Sequence, residues 1–161
     1  MALPKDWISQ VKMLFTGGRP NGMLLQWDID RFFAELKAVC NSHRVKNISD
    51  FNYAYCNTYI VMPPQPLESK RIFEATISFS FICNAYSLHW TSYSPDKRRG
   101  KVVPETVLPK SLENPTGMLR KFAEDNGFKE IECEWMDIQV EGVELELADV
   151  ATLGKCLFDD F

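Results

Sequence analysis

Between Arg71 and Cys83 every second residue belongs to one apolar set: Phe73, Ala75, Ile77, Phe79, Phe81 and Cys83. Glu74, Thr76, Ser78 and Ser80 stand among the positions between them. Successive side chains of a strand point to opposite faces, so this alternation predicts a strand with one buried face. It resumes after Asn84-Ala85 with Tyr86, Leu88 and Trp90. Folded into a hairpin at Asn84-Ala85, the two runs set Cys83 against Tyr86, Phe81 against Leu88 and Phe79 against Trp90. The whole apolar set then shares a face, which a one-residue slip would expose.

The flanking segments carry helical and strand periods of their own. Trp7, Ile8, Val11, Leu14 and Phe15 recur at helical spacing and predict a helix from about Lys5 to Thr16, stopped at Gly17-Gly18. The stretch Thr16 to Gly22 reads as a turn, because it lacks the GK[ST] ending and the preceding strand of a phosphate loop. Asp28 is placed to cap a second helix with Ile29, Phe32, Phe33, Leu36, Val39 and Cys40 on its apolar face. Phe51 to Met62 is rich in strand formers, and Phe51, Tyr53, Tyr55 and Tyr59 fall on one side of it. Without adjacent Lys or Arg, that aromatic row is expected to pack under a helix rather than to stack on bases. Pro63-Pro64-Gln65-Pro66 then ends the strand. After the hairpin comes a long proline-punctuated loop over 94–115 with Lys97, Arg98, Arg99 and Lys101 near its tip. A third helix follows, with Asn114 as cap, Pro115 in its opening turn and Gly127 as its stop.

The last forty residues alternate acids with apolar residues. Glu130, Glu132 and Glu134 lie opposite Ile131, Cys133 and Trp135, and the phase then switches to Met136, Ile138 and Val140. A β-bulge near Trp135-Met136 would keep the acids on one face. A turn at Glu141-Gly142 would lead into Val143, Leu145 and Leu147, with Glu144 and Glu146 opposite and Asp137 facing Glu146. Like charges directly opposite destabilise a sheet, so six acids (Glu130, Glu132, Glu134, Asp137, Glu144 and Glu146) would carry a cost with no evident structural return. Asp149 would then cap a short final helix with Val150, Leu153, Leu157 and Phe161 inward.

The order of elements predicts one α+β domain over 1–161, with an antiparallel sheet of about five strands and helices packed mainly on one face. That order is similar to those of small secretion chaperones and of some bacterial immunity proteins, and no motif carries the likeness. Length, 45% apolar residues and 25% charged residues are those of an ordinary globular chain. The first residues show no basic segment followed by an apolar run, and no run approaches the roughly 20 residues that span a bilayer. Five scattered cysteines inside apolar patterns point to a reducing cytoplasm rather than a disulfide framework.

Charge is unevenly divided. Residues 124–161 hold 12 acids and 2 bases, a balance of −10, while the remainder of the chain stands at +6. Such an asymmetry bears on association rather than on fold. The sequence therefore leads to a small cytoplasmic protein-binding module, most concretely an immunity protein or antitoxin. Its acidic sheet face would occlude a basic toxin such as a nuclease. No cofactor, nucleic acid or membrane enters this reading, and no residue is assigned to catalysis or to a metal. A secretion chaperone is the alternative. A small hydrolase built on His89 with Ser80, or a metal-dependent enzyme built on Asp137 and Glu146, comes third.

Overall fold

The computed structural model describes residues 2–64 and 70–159. Its centre is the antiparallel pair β3 (Ile72–Ser80) and β4 (Ala85–Tyr93). β2 (Cys56–Met62) pairs with β3, β1 (Arg44–Asn47) lies outside β2, and β5 (Gly100–Val103) pairs with the far half of β4. β6 (Lys129–Glu130) joins the near half of the same β4 edge in parallel. The fold is thus α+β around a mostly antiparallel sheet.

The hairpin has the predicted faces and a different register. Phe79 pairs with Tyr86, Ile77 with Leu88 and Ala75 with Trp90, so each β4 residue meets a partner four positions earlier than the alternation proposed. An even slide leaves every side chain on its face, so the apolar pattern cannot choose between the two registers. The hydrogen bonds of the wider loop decide it. The Phe81 amide donates to the Tyr55 carbonyl at 2.8 Å, and the Ile82 amide to the Ser80 hydroxyl at 3.0 Å.

One face of the sheet buries Tyr59, Val61, Ile77, Phe79, Tyr86 and Trp90 beneath α2 (Phe33–Val39) and α3 (Glu113–Asp125). Trp90 Nε1 donates to the Thr116 hydroxyl at 2.9 Å, which fixes α3 over the strand. A second cluster gathers where β3 ends and β4 begins: α1 (Lys5–Leu14) contributes Trp7 and Val11, and α5 (Leu153–Leu157) contributes Leu153 and Leu157. Trp7 meets Trp135 edge-on at 5.7 Å and donates Nε1 to the Asn84 side chain at 2.9 Å, which ties α1 to the hairpin loop. α5 and the turn before it also reach over part of the second sheet face, with Thr152 and Phe158 beside Thr58 and Ser78.

Several local expectations are corrected. α2 starts at Phe33 because the Asp28 carboxylate accepts from the Asp30 amide in a turn instead of capping a helix, and Ile29 and Val39 remain exposed. The aromatic row does not form: the strand begins at Cys56, Phe51 and Tyr55 are buried from the preceding loop, and Tyr53 is exposed. Loop 94–115 contains β5 and two short 3-10 turns, Glu105–Val107 and Lys110–Leu112. Asn114 and Pro115 lie inside the first turn of α3, where a missing amide costs no helical bond. Thr152, not Asp149, caps the last helix, with its hydroxyl accepting from the Lys155 amide. Gln65, Pro66 and Phe161 lie outside the described residues.

The largest correction concerns 130–147. Only Lys129–Glu130 is a strand; Cys133–Met136 is one helical turn, α4, and the chain from there to Val150 is irregular, with a turn at 141–142 and, among the described residues, only the Gln139–Thr152 bridge. The phase switch near Trp135 is this helical turn rather than a bulge: Ile131 and Trp135, four apart, are both buried. Part of the alternation is real, because Ile138, Val140, Val143 and Leu145 pack on the core while the residues between them face outward. With only Glu130 in a strand, the six acids do not share a sheet face, and Asp137 is not paired against Glu146.

Arg120 bridges the two short strands along the β4 edge. It contacts Glu105, after β5, through both terminal nitrogens, and Glu130, in β6, at 2.9 Å from Nε. Arg120→Gln is expected to cost about 1 kcal/mol at low salt and less at high salt, since the three side chains are partly solvated. Urea midpoints at two ionic strengths measure this; equal midpoints for variant and wild type would mean the cluster contributes nothing.

Candidate functional site

The C-terminal acids divide into two groups once the chain folds. Glu130 is held by Arg120 and accepts from the Tyr86 hydroxyl at 3.3 Å, and Glu146 accepts from Arg19 Nη1 at 2.7 Å. Those two are engaged in maintaining the fold. The side chains of Glu132, Glu134, Asp137 and Glu144 make no hydrogen bond or ion pair among the described residues, and the last three are exposed. The free acids follow the chain from the hairpin end of the sheet, through α4, to the hollow that Glu144 shares with Thr16 and Gly18. They are therefore distributed along the C-terminal segment and not on one plane.

Two of the basic residues lie far from them. Arg44 in β1 and Lys97 in the β4–β5 loop border a hollow with Met62 and Ile72, at the opposite end of the strands from the hairpin loop. Other bases stay among the acids: Lys129 borders a hollow with Glu130 and Glu132, and Lys155 borders the cleft with Asp137. The net excess of acid along this segment still acts on an approaching charged partner over distances longer than any contact.

Asp137 also borders a cleft of about 370 Å³ between the second sheet face and the C-terminal turn. Its floor is a row of hydroxyls from adjacent strands, Thr58, Ser78 and Ser87, with Thr58 and Ser78 hydrogen bonded at 3.0 Å. His89 and Thr76, paired in the next row, complete the floor. Partial desolvation lowers the His89 pKa, so neutral imidazole is favoured there, although the residue keeps much of its surface in solvent. The proposed His89–Ser80 pair does not exist. Ser80 is buried beyond the cleft, donates to the Leu157 carbonyl at 2.8 Å and is two rows from His89. Asp137 and Glu146 are likewise separated, one at the cleft and the other on Arg19.

All five cysteines are free thiols; Cys40, Cys56, Cys83 and Cys156 are buried and Cys133 is exposed. Among the described residues no three His, Cys, Asp or Glu side chains are placed to share a metal ion. No helix among them is long and apolar enough to cross a membrane. Sequence reasoning missed the exposed run Met23-Leu24-Leu25 before α2. Its signal was present: three large apolar residues directly after Asn21-Gly22, outside any helical or strand period. Compared with protein-family models, with curated proteins and with solved structures, the chain matches none.

Proposed function

We propose that this chain is a small protein-binding module of the reducing cytoplasm, most concretely an immunity protein or antitoxin that occludes a basic toxin such as a nuclease. The observation that carries the reading is the set of unengaged acids, Glu132, Glu134, Asp137 and Glu144, along a C-terminal segment, 124–161, whose charge balance is −10. Proteins that grip phosphates present Lys and Arg around the site of chemistry. An acidic body with free carboxylates complements that surface, speeds encounter and covers the site. The sheet is the rigid mount and the C-terminal segment is the contact.

The experiment is capture of a partner on the immobilised protein, identification by mass spectrometry, and binding kinetics with the purified partner at two salt concentrations. The partner is expected to be basic. The triple change Glu134→Gln, Asp137→Asn and Glu144→Gln should slow association by about tenfold at low salt and far less at high salt. Because these side chains have no partner among the described residues, stability should stay within about 0.5 kcal/mol of wild type. Capture of no basic protein, or equal association rates at both salts, would refute the reading.

A further inference from the structure

Three consecutive apolar side chains, Met23, Leu24 and Leu25, stand in solvent between α1 and α2, with 64%, 83% and 51% of their surfaces exposed. Their turn is firmly built. The Asn21 side-chain oxygen accepts from the amides of Met23 at 2.9 Å and Leu24 at 3.1 Å. The Leu25 amide donates to the Asn21 carbonyl and the Trp27 amide to the Gly22 carbonyl, each at 2.9 Å. Below the turn, Trp27 stacks on Phe81 with ring centres 4.7 Å apart and meets Phe51 edge-on. Gly22 sits so close that a Cβ there would come within 2.6 Å of Trp27 and 2.8 Å of Phe51. The fold thus anchors the stem and leaves the tip bare, although burying such side chains is what drives association.

The surroundings of the tip say what would cover it. Arg19, three residues before Gly22, reaches Glu146 at 2.7 Å and also donates to the Asn52 carbonyl, next to Phe51. Trp27, Val143 and Leu145 pack on the same core cluster. The stem of the tip is therefore tied to the acidic segment at Glu146, and the exposed acids Asp28 and Asp30 follow the tip in the chain. A convex apolar tip flanked by acids fits a concave apolar hollow rimmed by Lys or Arg. A second copy docking tip to tip would set acids against acids, and an anionic membrane surface would repel the same flanks.

We propose that Met23-Leu24-Leu25 is the apolar anchor of the interface with the basic protein partner and enters a hollow in that partner. The inference rests on the protein-binding reading above. Tight interfaces concentrate their energy in a few desolvated central side chains, while rim charges act mainly on the rate of encounter. The two parts of this surface should therefore separate kinetically.

The test uses the intact protein and the basic partner identified by capture. Leu24→Ala with Leu25→Ala should weaken binding about a hundredfold, through faster dissociation at low and high salt alike. Its melting temperature should stay within about 2 °C of wild type, because both side chains are already in water. Leu24→Asp provides a second variant of the same tip. If wild type binds a basic partner and these variants bind it equally well, the anchor is overturned and the module reading stands. If wild type captures no basic protein, both fall. Two further measurements bear on the choice of occupant: sedimentation across concentration, and co-sedimentation with vesicles of phosphatidylserine and phosphatidylcholine. Self-association or vesicle binding abolished by the tip variants, with partner affinity unchanged, would assign the tip to a second copy or to a membrane and overturn the proposal. Monomers that ignore vesicles and lose the partner with the tip are the expected result.

Discussion

Replacing Arg31 with alanine is expected to remove about 3 kcal/mol of stability, the largest loss from any single polar side chain in this fold. Arg31 lies in the turn before α2 and is directed inward, under the ends of two strands. Its Nε donates to Asn57 Oδ1 at 2.9 Å, and one terminal nitrogen donates to the carbonyls of Phe79 at 2.8 Å and Ser80 at 3.1 Å. The guanidinium also lies over the Phe81 ring, 3.7 Å from its centre. Asn57, fully buried, sends its own amide to the carbonyls of Asp28 and Ile29, so the turn and the strands are stitched in both directions. Burial lowers the Arg31 pKa to about 10, which still leaves it a cation at neutral pH. Hydrogen bonds to a charged donor are worth about 1.5–3 kcal/mol each, and their loss here strands three acceptors together, so the effects do not simply add. Arg31→Met separates the contributions, since it keeps the apolar stem against Phe81 and removes every donor. A loss close to that of alanine would assign the stability to the hydrogen bonds; recovery of most of it would assign it to stacking. Arg31→Lys should recover less than half, because an ammonium cannot reproduce the fork. Urea unfolding measures all three, and an alanine loss below about 1 kcal/mol would contradict the assignment.

What the sequence disclosed follows from what a period can encode. Alternation at Phe73, Ala75, Ile77 and Phe79 identifies a strand and its buried face, and both are found. It carries no information on even slides, so the hairpin register depended on the Phe81 and Ile82 amides, whose partners Tyr55 and Ser80 no local pattern reveals. The segment after Glu130 shows the opposite failure. Ile131, Trp135 and Val140 are buried as expected, whereas Cys133, Leu147 and Val150, expected inward, are exposed, and burial of alternate residues does not require a neighbouring strand. The sequence therefore located the acids and misplaced them in space. That Glu130 and Glu146 are engaged while Glu134 and Asp137 are free depends on Arg120 and Arg19, which reach them across 10 and 127 positions of sequence.

The placement of the charges gives a physical reason for the division of labour between the two parts of the proposed surface. Free carboxylates at Glu134, Asp137 and Glu144 cost the fold little because each is surrounded by water. The engaged ones hold secondary elements in place: Glu130 secures β6 beside β4, and Glu146 secures the strap next to the apolar tip. Neutralising the first set should alter encounter alone, whereas neutralising the second should alter the shape of the surface as well. That difference is why the variants chosen to test binding leave Glu130 and Glu146 intact.

Stability should fall steeply as the pH rises from 8 to 10, by about 2–3 kcal/mol, because the core holds thiols that the unfolded chain would ionise. Burial pushes Cys40 and Cys56 up to about 11 and Cys83 up to about 12, from an ordinary value of 9.0. Burial also raises Tyr59 and Tyr86, an effect that begins nearer pH 10. A raised pKa in the folded state means that the folded chain keeps its proton while the unfolded chain releases it. Above about pH 9 the unfolded state therefore binds fewer protons, and stability declines with pH until the folded thiols themselves ionise near 11 to 12. Each thiol contributes at most about 1.4 kcal/mol per pH unit in that window, and partial hydration reduces the sum of three. Arg31 acts in the opposite sense, since its pKa is lowered to about 10, but its effect begins only where this window closes. Urea midpoints at pH 7, 8, 9 and 10 with reductant present measure the decline. Cys40→Ala should start from a lower stability because it opens a cavity, and its decline should be shallower by roughly a third. Unchanged midpoints between pH 8 and 10 would mean that these thiols are solvated in the folded protein, contrary to their burial beneath α2, β2 and the hairpin loop.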